Sequence, residues 1–366
     1  MLPFHFGFFP SGPLDAITDV AGVRVSNLTL IRGSDIRTGA TAILPDADPW
    51  DHKLAAATLA FNGNGEMTGT HWIDESGYLE EPIVLTDTLD IGRADDGVVS
   101  WVIEHHPQVG VTDDVPLPVA AECDDQLLND IQARAVSPQD VRALLDAAKP
   151  GQFERGSVGA GTGMKAFGFK AGIGSASRVL PASLGGYTVG VLVNDNTGST
   201  RRALNIDGVP VGERLQNEYR IVYPKRVSEA ALHGRMASGS IIIVVATNAP
   251  LNGRQLHALL LRAGIGMGRT GLSSDVGSGD LFIGFSTSQH FDRTAAFEIA
   301  PPQTPILENE ESLDALYAAT AEATQAAIYD ALFEAKTMTG KGGATVYGLP
   351  VDRVLNMLRT AGAIAR

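Results

Sequence analysis

A dense run of β-branched residues, Ile241-Ile242-Ile243-Val244-Val245, opens on Ser240 and closes on Ala246-Thr247-Asn248. Such a run, apolar without alternation, predicts a central strand buried on both faces. Upstream, from about Pro224, the pattern turns polar and cationic (Lys225, Arg226, Glu229, His233, Arg235) and ends on the small pair Ser238-Gly239. A loop therefore meets a core strand at Gly239-Ser240. Elsewhere, Val20, Val23 and Val25, followed by Thr41 to Leu44 after the turn Arg32-Gly33-Ser34-Asp35, predict two short strands. Ala55 to Phe61 predicts a small-residue strand running into Asn62-Gly63-Asn64-Gly65-Glu66, which reads as a tight turn in preference to the wall of a site. Ile83 to Leu85, Leu117 to Ala121 (ending at Glu122), Tyr187 to Val193 (ending at Asn194 to Gly198) and Leu281 to Phe285 predict further strands.

Helical spacing is found at Val98 to His105 and at Val141, Leu144, Leu145 and Ala148, behind the start signal Ser137-Pro138-Gln139-Asp140. It recurs at Leu256, Leu259, Leu260 and Ala263, at about Glu311 to Lys336, and at Val351 to Thr360. Gly156 to Gly174 is the richest glycine segment, and Gly264 to Gly279 is expected as a loop. Strands collecting into sheets, with helices in both halves, predict layered α/β packing. There are no repeats and no interdomain linker, so the 366 residues are expected to form a single layered domain.

Composition narrows the function. A formal net charge of −14 disfavours nucleic acid and anionic membranes as partners and suits an amine-bearing ligand. Cys123 is the one cysteine, so no intrachain disulfide can form. No basic residue precedes Arg24 and no apolar run is long enough to span a bilayer, which makes a cytoplasmic location the default expectation.

No histidine sits in a serine-hydrolase or zinc motif; G-x-S-x-G and H-E-x-x-H are absent, His105-His106 reads as a solvated helix end, and Gly161-Thr162-Gly163-Met164 lacks the Lys-Ser/Thr of a phosphate loop. No cofactor or metal is expected. A peptide bond cut at Gly239-Ser240 would leave Ser240 with a nucleophilic hydroxyl and a free α-amine able to act as its own base. The plain alternative is that Gly-Ser simply leads into a buried strand.

Four stretches weigh against that alternative: GSIIIVVATNAPL (239–251), GSGDLFIGFST (277–287), NGNGEMTGTHWIDESGYLEEPIVLTDT (62–88) and AITDVAGVRV (16–25). Together they resemble the DmpA/BapA family of self-processing serine aminopeptidases, and the likeness runs through nearly the whole chain. The resemblance implies an α/β fold, a four-layer αββα sandwich of the N-terminal-nucleophile-like type. It also implies cleavage between Gly239 and Ser240 into chains 1–239 and 240–366, and a homo-oligomer of αβ units. By the same resemblance Ser240 is the nucleophile, Ser278 and Asp280 complete the catalytic group, Asn196 supplies the oxyanion donor and Glu122 grips the substrate's free amine. As a bare pattern Ser278-Gly279-Asp280 is a turn, Asn196 a turn residue and Glu122 a surface carboxylate. Two departures stand out. Known β-aminopeptidases carry Glu where this chain has Asp280, and some relatives carry an aromatic at Asp124, where a second carboxylate would make the amine pocket more acidic.

Three functions are thus weighed. The first is an aminopeptidase acting on small peptides, amides or esters, with β- or D-residues among the possible substrates. The second is an oligoamide hydrolase or acyltransferase on the same fold, against which Ser240 argues because those relatives use Thr. The third is a ligand-binding protein with an uncut chain.

Overall fold

In the computed structural model, which describes residues 2–198, 200–224, 239–293 and 304–365, the run at 240–247 is strand β11 (Ser240–Thr247), and all eight of its residues are buried. The expected cationic approach from Lys225 to Ser238 lies outside the described residues. Burying five Ile and Val side chains is worth about 1.5–3 kcal/mol each, which makes this strand a principal anchor of the fold.

Around β11 lies a six-stranded sheet. It is made of β3 (His52–Gly63), β4 (Tyr78–Leu79), β9 (Ile173–Val179), β10 (Thr188–Asn196), β11 and β12 (Gly279–Asp292), in the order β4-β3-β12-β11-β10-β9. Strands β11 and β12 are parallel, and β10 pairs antiparallel with β11. A parallel neighbour needs a crossover, and helix α5 (Gly253–Arg269) lies in the connection between the two strands. A second sheet of four strands has the order β1 (Arg24–Arg32), β2 (Ile36–Leu44), β5 (Ile83–Asp87) and β6 (Val119–Cys123), with β5 and β6 parallel. Two short strands, β7 (Lys165–Ala166) and β8 (Phe169–Lys170), form a hairpin of their own.

The two sheets pack face to face through Val25, Ile43, Leu85 and Val119 on one side and Leu192, Ile242, Val244 and Ile283 on the other. Helices α2 (Ile91–His105) and α3 (Pro138–Asp146) cover the small sheet through Val98, Val102, Val141 and Leu145. Helices α5 and α6 (Glu310–Glu334) cover the large one through Leu256, Leu259, Ala327 and Ile328. The result is four layers, αββα. Helix α1 (Thr70–Ser76), the single turn α4 (Val211–Arg214) and the C-terminal α7 (Val351–Ala361) are further helices among the described residues. Among the described residues no helix is long and apolar enough to cross a membrane.

Local signals set the helix ends. Ser137 Oγ accepts from Asp140 N at 3.1 Å and Asp140 Oδ2 from Ser137 N at 2.9 Å, a reciprocal cap at the position expected. One expectation fails. The glycines after Ala263 do not open a loop; α5 continues through Gly264, Gly266 and Gly268 to Arg269. A methyl at Gly266 would lie 2.3 Å from Ala321 O of α6, so glycine lets two helix backbones approach where its low helix propensity alone predicts a break. Helix α2 likewise starts at Ile91, earlier than the apolar spacing from Val98 suggests.

Candidate active site

The sheet register brings the candidate residues together. Ser240 pairs with Asn196 of β10 on one side and Gly279 of β12 on the other. Asn196 Nδ2 donates to Ser240 Oγ at 3.3 Å and to Asp124 O at 2.9 Å, while its Oδ1 accepts from Lys165 N at 3.2 Å. The backbone donor at Lys165 fixes which end of the amide is which, so the N–H pair faces the Ser240 hydroxyl and Asp124 O. Ser240 is 6% exposed, and the thiol of Cys123 lies against its hydroxyl. Burial pushes that thiol well above its ordinary range, which leaves Cys123 a neutral neighbour.

Ser278 and Asp280 meet as their i, i+2 spacing predicts: Ser278 Oγ donates to Asp280 Oδ1 at 2.5 Å, and the Ser274 hydroxyl donates to the other carboxylate oxygen. Burial raises the Asp280 carboxyl above its usual range against the pull of both hydroxyls. Asp280 lies beside Ile241 in register and shares its face of the sheet, the face toward α5 and α6, whereas the Ser240 hydroxyl is on the face toward the small sheet. The two groups therefore flank the Gly239-Ser240 backbone from different sides. A cavity on the Asp280 side is lined by Gly239, Thr197, Phe167, Ser274, Ser278 and Asp280.

Glu122 is the penultimate residue of β6 in the opposite sheet and is buried, not a surface carboxylate. It accepts from Glu66 N at 3.1 Å and from the Thr88 hydroxyl. Burial holds its carboxyl above the ordinary range, with the charges of Asp124 and Glu66 acting in the same direction. Asp124 is half-buried, and its carboxylate is engaged by Gln126, through the backbone N at 2.8 Å and the side-chain amide. It therefore adds charge beside Glu122 without offering a free carboxylate.

The expected tight turn at 62–66 is instead the end of β3 through Gly63 followed by a bend at Asn64-Gly65, and the segment forms a wall beside the head of β12. Asn62 Nδ2 donates to Asp275 O at 2.8 Å, Asn64 Nδ2 to Gly277 O at 2.7 Å and Asn64 N to Ser278 O at 3.3 Å. A methyl at Gly65 would sit 3.2 Å from both Glu122 Oε1 and Gly279 Cα. Glycine there lets Glu122 reach the head of β12, beside β11. The sequence reading missed this wall along with Cys123, Lys165 and Asp195. The one available signal for Asp195 was that the strand predicted to end at Val193 could continue through the Asn-Asp-Asn triplet.

The profile described as peptidase family S58 matches residues 15–346. The chain belongs to peptidase family S58. It is 39% identical over 350 residues to the β-peptidyl aminopeptidase BapA of Sphingosinicella microcystinivorans, covering 93% of this chain and 86% of that protein. Among solved structures, a Burkholderia sp. β-aminopeptidase superposes with a TM-score of 0.88 at 38% identity, covering 98% of this chain and 97% of the other. The L-aminopeptidase D-Ala-esterase/amidase of Ochrobactrum anthropi, described as a prototype for the serine aminopeptidases and a variant of the Ntn hydrolase fold, superposes at 0.86 with 37% identity, covering 99% and 98%. The αββα arrangement is thus the DmpA-like one, and the chain is a serine aminopeptidase, a hydrolase of peptide and amide bonds.

Proposed function

We propose that this S58 member is made as a precursor that cuts itself between Gly239 and Ser240 and then removes N-terminal residues from small peptides, amides or esters. In the first step Ser240 Oγ attacks the Gly239 carbonyl carbon, the C–N bond breaks, and the resulting ester is hydrolysed by water to a Gly239 carboxylate and a free Ser240 α-amine. In turnover the same hydroxyl attacks the substrate carbonyl. The α-amine accepts the hydroxyl proton and passes it to the departing amine, and water then releases the acyl group.

Asn196 Nδ2 acts as a donor to the developing oxyanion, an interaction worth about 3 kcal/mol in related sites. Ser278 and Asp280 orient the α-amine from the far side of the strand, and Glu122 binds the substrate's ammonium. The relatives' names support β-amino acid residues among the substrates, and homo-oligomers of αβ units in the cytoplasm are the expected assembly. The observation that carries this reading is the Asn196 amide, held 3.3 Å from Ser240 Oγ at the head of the buried strand that follows Gly239. Mass measurement under denaturing conditions, joined to a panel of aminoacyl p-nitroanilides, tests it. An uncut chain, or a cut chain inactive on every free-amine substrate, would refute it.

A further inference from the structure

Strand β10 carries a carboxylate that the mechanism above does not use. Asp195 is fully buried; its Oδ1 accepts from Thr197 Oγ1 at 2.5 Å and from Thr197 N at 3.2 Å, while its Oδ2 has no hydrogen-bond partner. Buried carboxylate oxygens are rarely left unpaired, because the desolvation cost is not recovered. Asp195 pairs in register with Ile241, and Ile241 pairs on its other side with Asp280. Its neighbours by alternation, Val191 and Val193, point to the α5/α6 side, as do Ile241 and Ile243. Asp195 and Asp280 therefore bracket the nucleophile's strand on one face, two strand spacings or about 10 Å apart. Each is tied to a hydroxyl two residues away, just beyond the end of its own strand, Thr197 after β10 in one case and Ser278 before β12 in the other. Thr197 also touches the cleavage junction: a methyl on Gly239 would come 2.8 Å from Thr197 Cα.

We propose that Asp195, with Thr197, is a positioning residue for the α-amine of Ser240, a second carboxylate-hydroxyl pair that faces Ser278-Asp280 across β11 and stabilises the α-ammonium that cleavage creates. The inference rests on the self-processing reading above. Before cleavage the junction is a neutral amide, so it offers no cation to the Asp195 carboxylate, whose one cationic neighbour among the groups acting on it is Lys165. Cleavage places a positive charge one residue from Ile241, between the two carboxylates. The charged and titratable groups that act on Asp195 are Asp280 on β12, Lys165 of the β7/β8 hairpin and Cys123 on β6; Asp275 acts in turn on Asp280. In the uncut chain burial pushes the Asp195 carboxyl up to about 7, with the Asp280 charge adding and Lys165 opposing.

The sign of the test follows. An anion beside the α-ammonium raises the amine's pKa, so removing it lowers that pKa and keeps the amine free, and catalytically competent, at lower pH. In cut Asp195→Asn enzyme the acid limb of kcat at saturating substrate should move down by about one pH unit relative to wild type. Asp195→Ser, which fits the same space without placing an amide there, should repeat the shift. The α-amine can also be titrated directly, whatever the activity, through its nitrogen chemical shift in protein labelled with ¹⁵N-serine, and it should show the same displacement. Cut, active variants whose kcat limb and amine titration both coincide with wild type would overturn the role of Asp195 while leaving the aminopeptidase reading intact. Wild-type chain that stays uncut would instead overturn the reading on which both depend.

Discussion

Glu122→Gln keeps the shape of the side chain and removes its charge. The carboxylate is buried, held by Glu66 N and the Thr88 hydroxyl, and lies beside the loop at Gly65 that leads to the head of β12. A charge-assisted hydrogen bond to a substrate ammonium contributes about 1.5–3 kcal/mol, which corresponds to a loss of roughly ten- to a hundredfold in kcat/KM on a free-amine p-nitroanilide. The fold should tolerate the change. Burial raises this carboxyl in the folded chain, so the stability associated with its neutral form is complete below the unfolded pKa and is lost as pH rises through the folded one. Gln mimics the neutral form, and the variant should melt no lower than wild type at pH 7. The same shift predicts that KM for free-amine substrates rises on the acid side at a pH above the ordinary carboxylate range, as Glu122 takes up a proton, and that Glu122→Gln abolishes this limb. The control is the N-acetylated substrate, which has no ammonium and should be hydrolysed slowly and equally by both proteins. Equal losses on the two substrates would assign Glu122 to structure or processing, and efficient hydrolysis of the acetylated substrate by wild type would refute the amine-binding argument.

Three further outcomes are expected. Denaturing mass spectrometry should find fragments 1–239 and 240–366 that co-elute under native conditions, with Edman sequencing of the smaller beginning Ser240-Ile241-Ile242; Ser240→Ala should remain one inactive chain. Asn196→Ala should lower kcat by on the order of a hundredfold in its cut fraction, since the donor 3.3 Å from Ser240 Oγ is lost; turnover close to wild type would remove the oxyanion assignment. Gly266→Ala should lower the melting temperature although alanine favours helices by about 1 kcal/mol over glycine, because its methyl would meet Ala321 O at 2.3 Å and separate α5 from α6; a rise in melting temperature would show that the two helices accommodate the methyl.

Much of this arrangement is written locally. The strand at Ser240 is legible because a strand covered on both faces must be continuously apolar, and the start of α3 because Ser137 and Asp140 satisfy each other's backbone. The junction between Gly239 and Ser240 was visible for the same reason, as a change of pattern at one peptide bond. Family resemblance then named Asn196, Ser278, Asp280 and Glu122, and the sheet register and loop contacts show what brings them to one place.

What the sequence alone left undecided concerns neighbours. The glycines of α5 resemble a loop until α6 is in place, since propensity is a property of one residue and close backbone approach a property of two helices. The Asn62 to Glu66 segment resembles any tight turn until β12 supplies the carbonyls its amides reach and β6 the carboxylate it faces. Asp195 was invisible as a site residue because alternation assigns a side chain to one of two faces without saying what stands across the sheet. Only the pairing of β10, β11 and β12 sets it opposite Asp280, since strand register depends on contacts between segments far apart in the chain.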